Sequence, residues 1–151
     1  MAISQAMVTS FKVQILEGVH NFGSGVIRAS AAADVFKLAL YTSSATLGAA
    51  TTAYTTSDEV SSSGTNYTAG GLTLTISQAP TSTGTTAWLD FDDLTFPSAT
   101  LTANGALIYN ETQGNKAVAV LAFGSDKTST AGNFTIQFPA AAASTAILRI
   151  A

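Results

Sequence analysis

Hydrophobic and polar positions divide most of this chain into short alternating runs, with one exception. Gly105 to Asn110 and Lys116 to Phe123 are apolar almost without interruption, and Glu111-Thr112-Gln113-Gly114-Asn115 lies between them. A strand apolar at consecutive positions is covered on both faces, so the pattern predicts a hairpin in the middle of a sheet. Gly114 and Asn115 suit the positive φ angles of its turn.

Alternation elsewhere predicts half-buried strands. From Asp34 to Tyr41, Phe36, Leu38 and Leu40 point one way while Lys37 and Ala39 point the other. Leu72, Leu74 and Ile76 face away from intervening threonines. Thr86 to Phe91 sets Ala87, Leu89 and Phe91 against Trp88. Phe134, Ile136 and Phe138 alternate up to Pro139, and Ile147 to Ile150 forms a last strand. Val26-Ile27-Arg28 reads as a further short strand. Ala79-Pro80 to Gly84 reads as a loop, Gly124 to Lys127 as a turn, and Pro97 is expected to end the pairing that Leu94 and Phe96 begin.

One stretch has helical spacing. Met7, Val8, Phe11, Ile15 and Leu16 recur on one face of a helix over 4–17, with Ser4 as its cap and Gly18 as its stop. The bland account is an amphipathic helix packed on the sheet; the alternative is an arm that docks on a neighbouring subunit. The long tract from Thr42 to Gly71 is rich in Thr, Ser, Ala and Gly, with Tyr54, Val60 and Tyr67 as its few anchors. Such a length is either functional or contains hidden short strands, and Asn66 to Gly71 has turn chemistry. These elements predict an all-β fold, an antiparallel β-sandwich or jelly roll with one N-terminal helix. A single domain over 1–151 follows, with its sandwich body over 34–151.

Composition sharpens this picture. Only 10% of the residues are charged, against about 25% in an ordinary soluble domain. Hydroxyl and small side chains take their place. A charge-poor, Ala-rich surface is what extensive interfaces expose, so the chain reads as a subunit of an assembly. The net charge is −3 and the six Lys and Arg residues are scattered singly, which gives no basic footprint for nucleic acid. There is no cysteine, hence no disulfide or thiolate chemistry. No leader-like segment and no run of membrane-spanning length occur.

Candidate chemistry is sparse. His20 is the only histidine, and the nearby Gly23-Ser24-Gly25 lacks the spacing of a nucleophile elbow. Asp90, Asp92 and Asp93 form the one dense carboxylate cluster. Alternate strand positions place Asp90 and Asp92 on one face, as calcium ligands would require, but solvated acids or acids bound to turn amides are the simpler account. Trp88 with Tyr54, Tyr67 and Tyr109 offers aromatic faces for a sugar platform, or else core anchors. No catalytic, cofactor-binding or metal-binding residue is assigned.

Several phrases together carry a family resemblance. They are Phe36-Lys37-Leu38-Ala39-Leu40-Tyr41-Thr42, Tyr67-Thr68-Ala69-Gly70-Gly71, Gly105 to Asn110, Lys116 to Asp126 and Phe134-Thr135-Ile136-Gln137-Phe138-Pro139. Nearly the whole chain resembles a group of small virion structural proteins of tailed bacteriophages. The resemblance implies a non-enzymatic role, without cofactor, in the virion after synthesis in the host cytoplasm. The expected task is capsid decoration: a cement protein binding the major capsid protein across subunit boundaries and touching neighbouring copies of itself as a homo-oligomer. The alternative is a tail, neck or fibre component that binds host glycans. The expected contact surfaces are the N-terminal helix and the Thr42–Gly71 tract, and excising Thr46 to Ala53 is expected to leave the domain folded.

Overall fold

A computed structural model describes residues 2–16, 18–23 and 33–150. Among them, two antiparallel sheets and one short helix form a sandwich. The first sheet has the order β1-β7-β6-β2-β3, where β1 is Ala6–Met7, β2 Phe36–Tyr41, β3 Leu72–Thr73, β6 Leu94–Asn110 and β7 Lys116–Ile136. The second has the order β4-β5-β8, from Ile76–Thr83, Thr86–Phe91 and Leu148–Ile150. The helix α1, Thr9–Leu16, packs on β7. Val26-Ile27-Arg28 lies outside the described residues.

The continuous apolar run lies where its pattern requires. β6 and β7 pair from Gly105↔Ala122 to Asn110↔Lys116, and Ala106, Leu107, Ile108, Val118 and Val120 are buried at their centre. Gly114 and Asn115 both take positive φ at the turn, 69° and 61°. What the run does not reveal is its continuation. The same two strands extend past Gly105 and Ala122 to Leu94↔Ile136, so the hairpin is far longer than its apolar segment. Gly124 to Lys127 is no turn: residues 123–126 bulge opposite Asn104 alone, between Ala103↔Lys127 and Gly105↔Ala122. Gly124 supplies the positive φ of 76°, and the Asn104 amide donates to Asp126 Oδ1 at 2.8 Å. Pro97 does not end pairing either. Its missing N–H is absorbed by a second bulge, where Ser98 adopts φ 50°.

The helix is shorter than its spacing predicts. Residues 4–7 are not helical, because a sheet edge takes them. The Ser4 N–H donates to Leu47 O, and Ala6 and Met7 pair with Val120 and Ala119. Val8 and Thr9 N–H then donate to Val118 O and Ala49 O, so Ser4 is not the cap. Over so few residues helical and strand spacing coincide at Met7 and Phe11, and the need to cover β7 decides between them. Gly18, at φ 68°, does stop the helix, its N–H reaching Ile15 O.

Other boundaries shift for equally local reasons. The Leu72–Ile76 strand is divided, with β3 in the first sheet and β4 beginning the second, so the chain crosses between layers at Leu74-Thr75. β4 runs on through Ala79-Pro80 to Thr83, accommodating the proline with register shifts at an exposed edge. β2 is buried on both faces rather than half-buried: Ala39 and Tyr41 are as inaccessible as Leu38 and Leu40. The layer covering its second face is the polar tract.

Candidate functional site

The tract Thr42–Gly71 is ordered by one carboxylate. Glu59 Oε2 accepts from Tyr54 Oη at 2.7 Å, and Oε1 accepts from Tyr67 Oη at 2.6 Å and from Gly70 N–H at 2.7 Å. Tyr109 Oη donates to Gly70 O at 2.8 Å and stacks on Tyr54 at 4.7 Å. Tyr41 Oη donates to Thr55 O at 2.6 Å, and the Leu40 N–H donates to Tyr67 Oη. All four tyrosines of the chain thus meet around Glu59. Burial first, then the neighbouring Glu59 and Glu111 charges, push the Tyr109 hydroxyl up to about 12. The pKa values of Tyr41, Tyr54 and Tyr67 also rise, with loss of hydration the largest cause in each.

The tract therefore cannot be an uncommitted contact loop. Leu47 and Ala45 are core residues, Ala117 N–H donates to Thr52 O, and Tyr54 N–H donates to Asn115 O. Removing Thr46 to Ala53 would unseat the central hairpin. Turn chemistry at Asn66 to Gly71 is present as expected, with Asn66, Gly70 and Gly71 at positive φ. At Gly71 it is obligatory, since a Cβ would lie 1.8 Å from Leu38 O. The tract's one glutamate among tyrosines was the available signal, and Glu59 carries more order than the three anchors read from hydrophobicity.

His20 sits in a second polar cluster. Asn110, fully buried at the end of β6, accepts Gln113 N–H through Oδ1, which aims its amide nitrogen at both His20 Nδ1 (3.0 Å) and Asp34 Oδ2 (2.8 Å). His20 Nδ1 is the acceptor in this arrangement. Asp34 also receives Asn21 N–H and the Gln113 amide. The His20 ring packs edge-on against Phe11 at 4.8 Å. These contacts tie the segment after α1 to the turn of the central hairpin, and no alternation pattern announces Asn110 because its partners are distant in sequence. Ser24 and Gly25 lie outside the described residues.

The aspartates are held separately. Asp90 is buried and Oδ1 accepts the Phe91 N–H; Asp92 is exposed; Asp93 Oδ1 accepts Phe138 N–H at 2.8 Å. β5 ends at Phe91, so Asp92 does not continue the strand face of Asp90. Among the described residues no group of three His, Cys, Asp or Glu is placed to hold a metal ion.

Trp88 is separated from the tyrosines, so the four aromatics form no common platform. It lines a hollow of about 170 Å³ between α1 and the second sheet, with Met7, Phe11, Ile15, His20 and Leu148. Ile150, 53% exposed, stands at its margin, and Arg149 directs Nη1 to Ser144 O. This is a predominantly apolar recess of about the volume of one large side chain. No helix among the described residues is long and apolar enough to cross a membrane. Comparison with known proteins returns no matching family model, curated protein or solved structure.

Proposed function

We propose that this chain is a non-enzymatic structural subunit of a tailed-phage virion, acting as a decoration protein that binds across boundaries between capsid subunits. The supporting observation is the character of the outer surface. Composition already leaves few charges, and folding turns several of them inward: Asp90 is buried, Glu59 is bound by two tyrosines and a backbone amide, and Asp34 is bound by asparagine and glutamine. The solvent-facing residues are chiefly Thr, Ser, Ala, Gly and Asn on a rigid antiparallel scaffold. Such a surface carries little charge for solubility and loses little by desolvation, which favours burial against a partner.

The mechanism is linkage. A subunit that binds the assembled shell and not its separated parts stabilises the shell by mass action, without chemistry. A contact of standard size, about 1,600 Å² in total, suffices. The test is to add purified protein to expanded capsids that lack it and to locate it by electron microscopy. Occupancy of repeated lattice positions, with raised resistance of the particle to heat, is the expected result. Failure to bind capsids, or location at the tail or neck only, would replace the decoration reading with the tail or neck one.

A further inference from the structure

We infer that the outer edge of β7 from Ser125 to Thr130 is a self-association surface on which a second copy of this chain pairs antiparallel about a two-fold axis. The inference does not require the virion assignment.

β7 has two edges with different fates. On its inner side it is paired with β6 along its length. On its outer side, the part near the turn is taken: Tyr54 N–H reaches Asn115 O, Ala117 N–H reaches Thr52 O, and Ala6–Met7 pair with Val120 and Ala119. Beyond Leu121 no described strand pairs with it. β6 differs here, since Thr100 N–H donates to Thr65 O of the tract and Asn66 donates to Ser98 O, so its own outer edge is covered. An open edge presents a row of backbone donors and acceptors to another chain.

Two irregularities delimit the usable segment. Gly124 at φ 76° and Ala131 at φ 47° stand on either side of it, and no residue between them has a positive φ. The inner contacts of the segment are complete: Thr128 meets Thr102 through their hydroxyls, and Ser129 Oγ donates to Ala99 O. Its only charges are Asp126 and Lys127, adjacent and of opposite sign. That order is self-complementary. If the two-fold axis falls between Asp126 and Lys127, each aspartate lies directly opposite the lysine of the second copy. If it falls between Lys127 and Thr128, the same two side chains become diagonal neighbours on one face, still within reach of a lysine. Either register also leaves β1 at Ala119–Val120 undisturbed, because the paired segment ends short of it. A parallel or displaced pairing would lose both ion pairs. The Asn104 amide and Ser125 hydroxyl already hold Asp126 and Lys127 near the edge, which lowers the ordering cost of the pairs.

The test uses the full-length chain and sedimentation at protein concentrations up to about 1 mM. Wild type is expected to show a monomer–dimer equilibrium. Asp126→Lys and Lys127→Asp, each alone, place like charges together in both halves of the dimer and are expected to weaken self-association roughly tenfold. An equimolar mixture of the two variants restores opposite signs at each contact and is expected to regain dimer as a heterodimer. Both positions are exposed, and circular dichroism checks that each variant is folded. A wild type that stays monomeric throughout overturns the inference. So does a dimer indifferent to the single reversals, or singles that weaken without rescue in the mixture.

Discussion

One pair of strands does two different jobs in this molecule. Near its turn, from Gly105 to Ala122, the β6–β7 hairpin is buried on both faces, with β2 on one side and β1 on the other. Farther out, from Leu94 to Ala103 and from Lys127 to Ile136, the same strands alternate. Phe96, Ala99, Leu101, Phe134 and Ile136 point inward, while Thr95, Thr102, Thr128 and Thr135 face solvent in hydroxyl-bonded pairs. The backbone pairing is alike in the two halves; what covers them differs. Stability therefore resides in the layers laid over the hairpin rather than in the hairpin itself.

The largest expected effect is loss of the seal over the inner half. Gly71→Ala forces a side chain against Leu38 O at a positive φ of 74°, and is expected to cost upward of about 3 kcal/mol, a large part of a domain's stability. Chemical denaturation measures it; a midpoint like that of wild type would mean that the tract does not press on β2 as described. Next comes the hairpin itself. Leu107→Ala or Ile108→Ala, both fully buried, should each cost about 2–5 kcal/mol by the same measurement.

Glu59→Gln acts on the layer instead of the core. It keeps the shape but sets an amide donor among three donors, so about 1–3 kcal/mol is expected. Faster amide exchange in the tract than in β6 would accompany it. If exchange rises equally everywhere, the tract and hairpin are one cooperative unit and the comparison needs revising.

Alkaline pH probes the same layer. The buried phenols have folded-state pKa values above the unfolded value of about 10, with Tyr109 near 12. Their contribution to stability is intact below about pH 10 and falls as pH rises toward and past 12. Tyrosinate absorbance should appear together with loss of the sheet signal in circular dichroism. Ionisation of all four tyrosines near pH 10, with the sheet intact, would contradict their burial. Smallest of all is Thr128→Ala in the outer half, expected to shift stability by less than about 0.5 kcal/mol.

Much of this architecture was written in local pattern. The inner hairpin, its turn at Gly114-Asn115, the strand Thr86–Phe91 and the termination at Gly18 follow from burial on two faces, alternation and backbone freedom, properties that a few neighbouring residues specify. The bulges at Gly124 and Pro97 were read as breaks because a turn and a bulge use the same residue types, and only a partner strand continuing alongside distinguishes them. The assignment of residues 4–7 to a strand likewise depended on a sheet edge far along the chain.

The candidate sites were less legible. Trp88 and the tyrosines are chemically alike in sequence, yet Trp88 faces the hollow by α1 while the tyrosines face Glu59. Composition by itself determined that the protein is a charge-poor β domain with a core it can close, since hydrophobic burial and hydroxyl-rich turns need no knowledge of partners. Only the tertiary structure decided that the polar tract is a covering layer and that one strand edge stays open. Glu59, Asn110 and the outer edge of β7 acquire their roles from residues tens of positions away, and a hydrogen bond or an uncovered edge exists only once the chain has folded back upon itself.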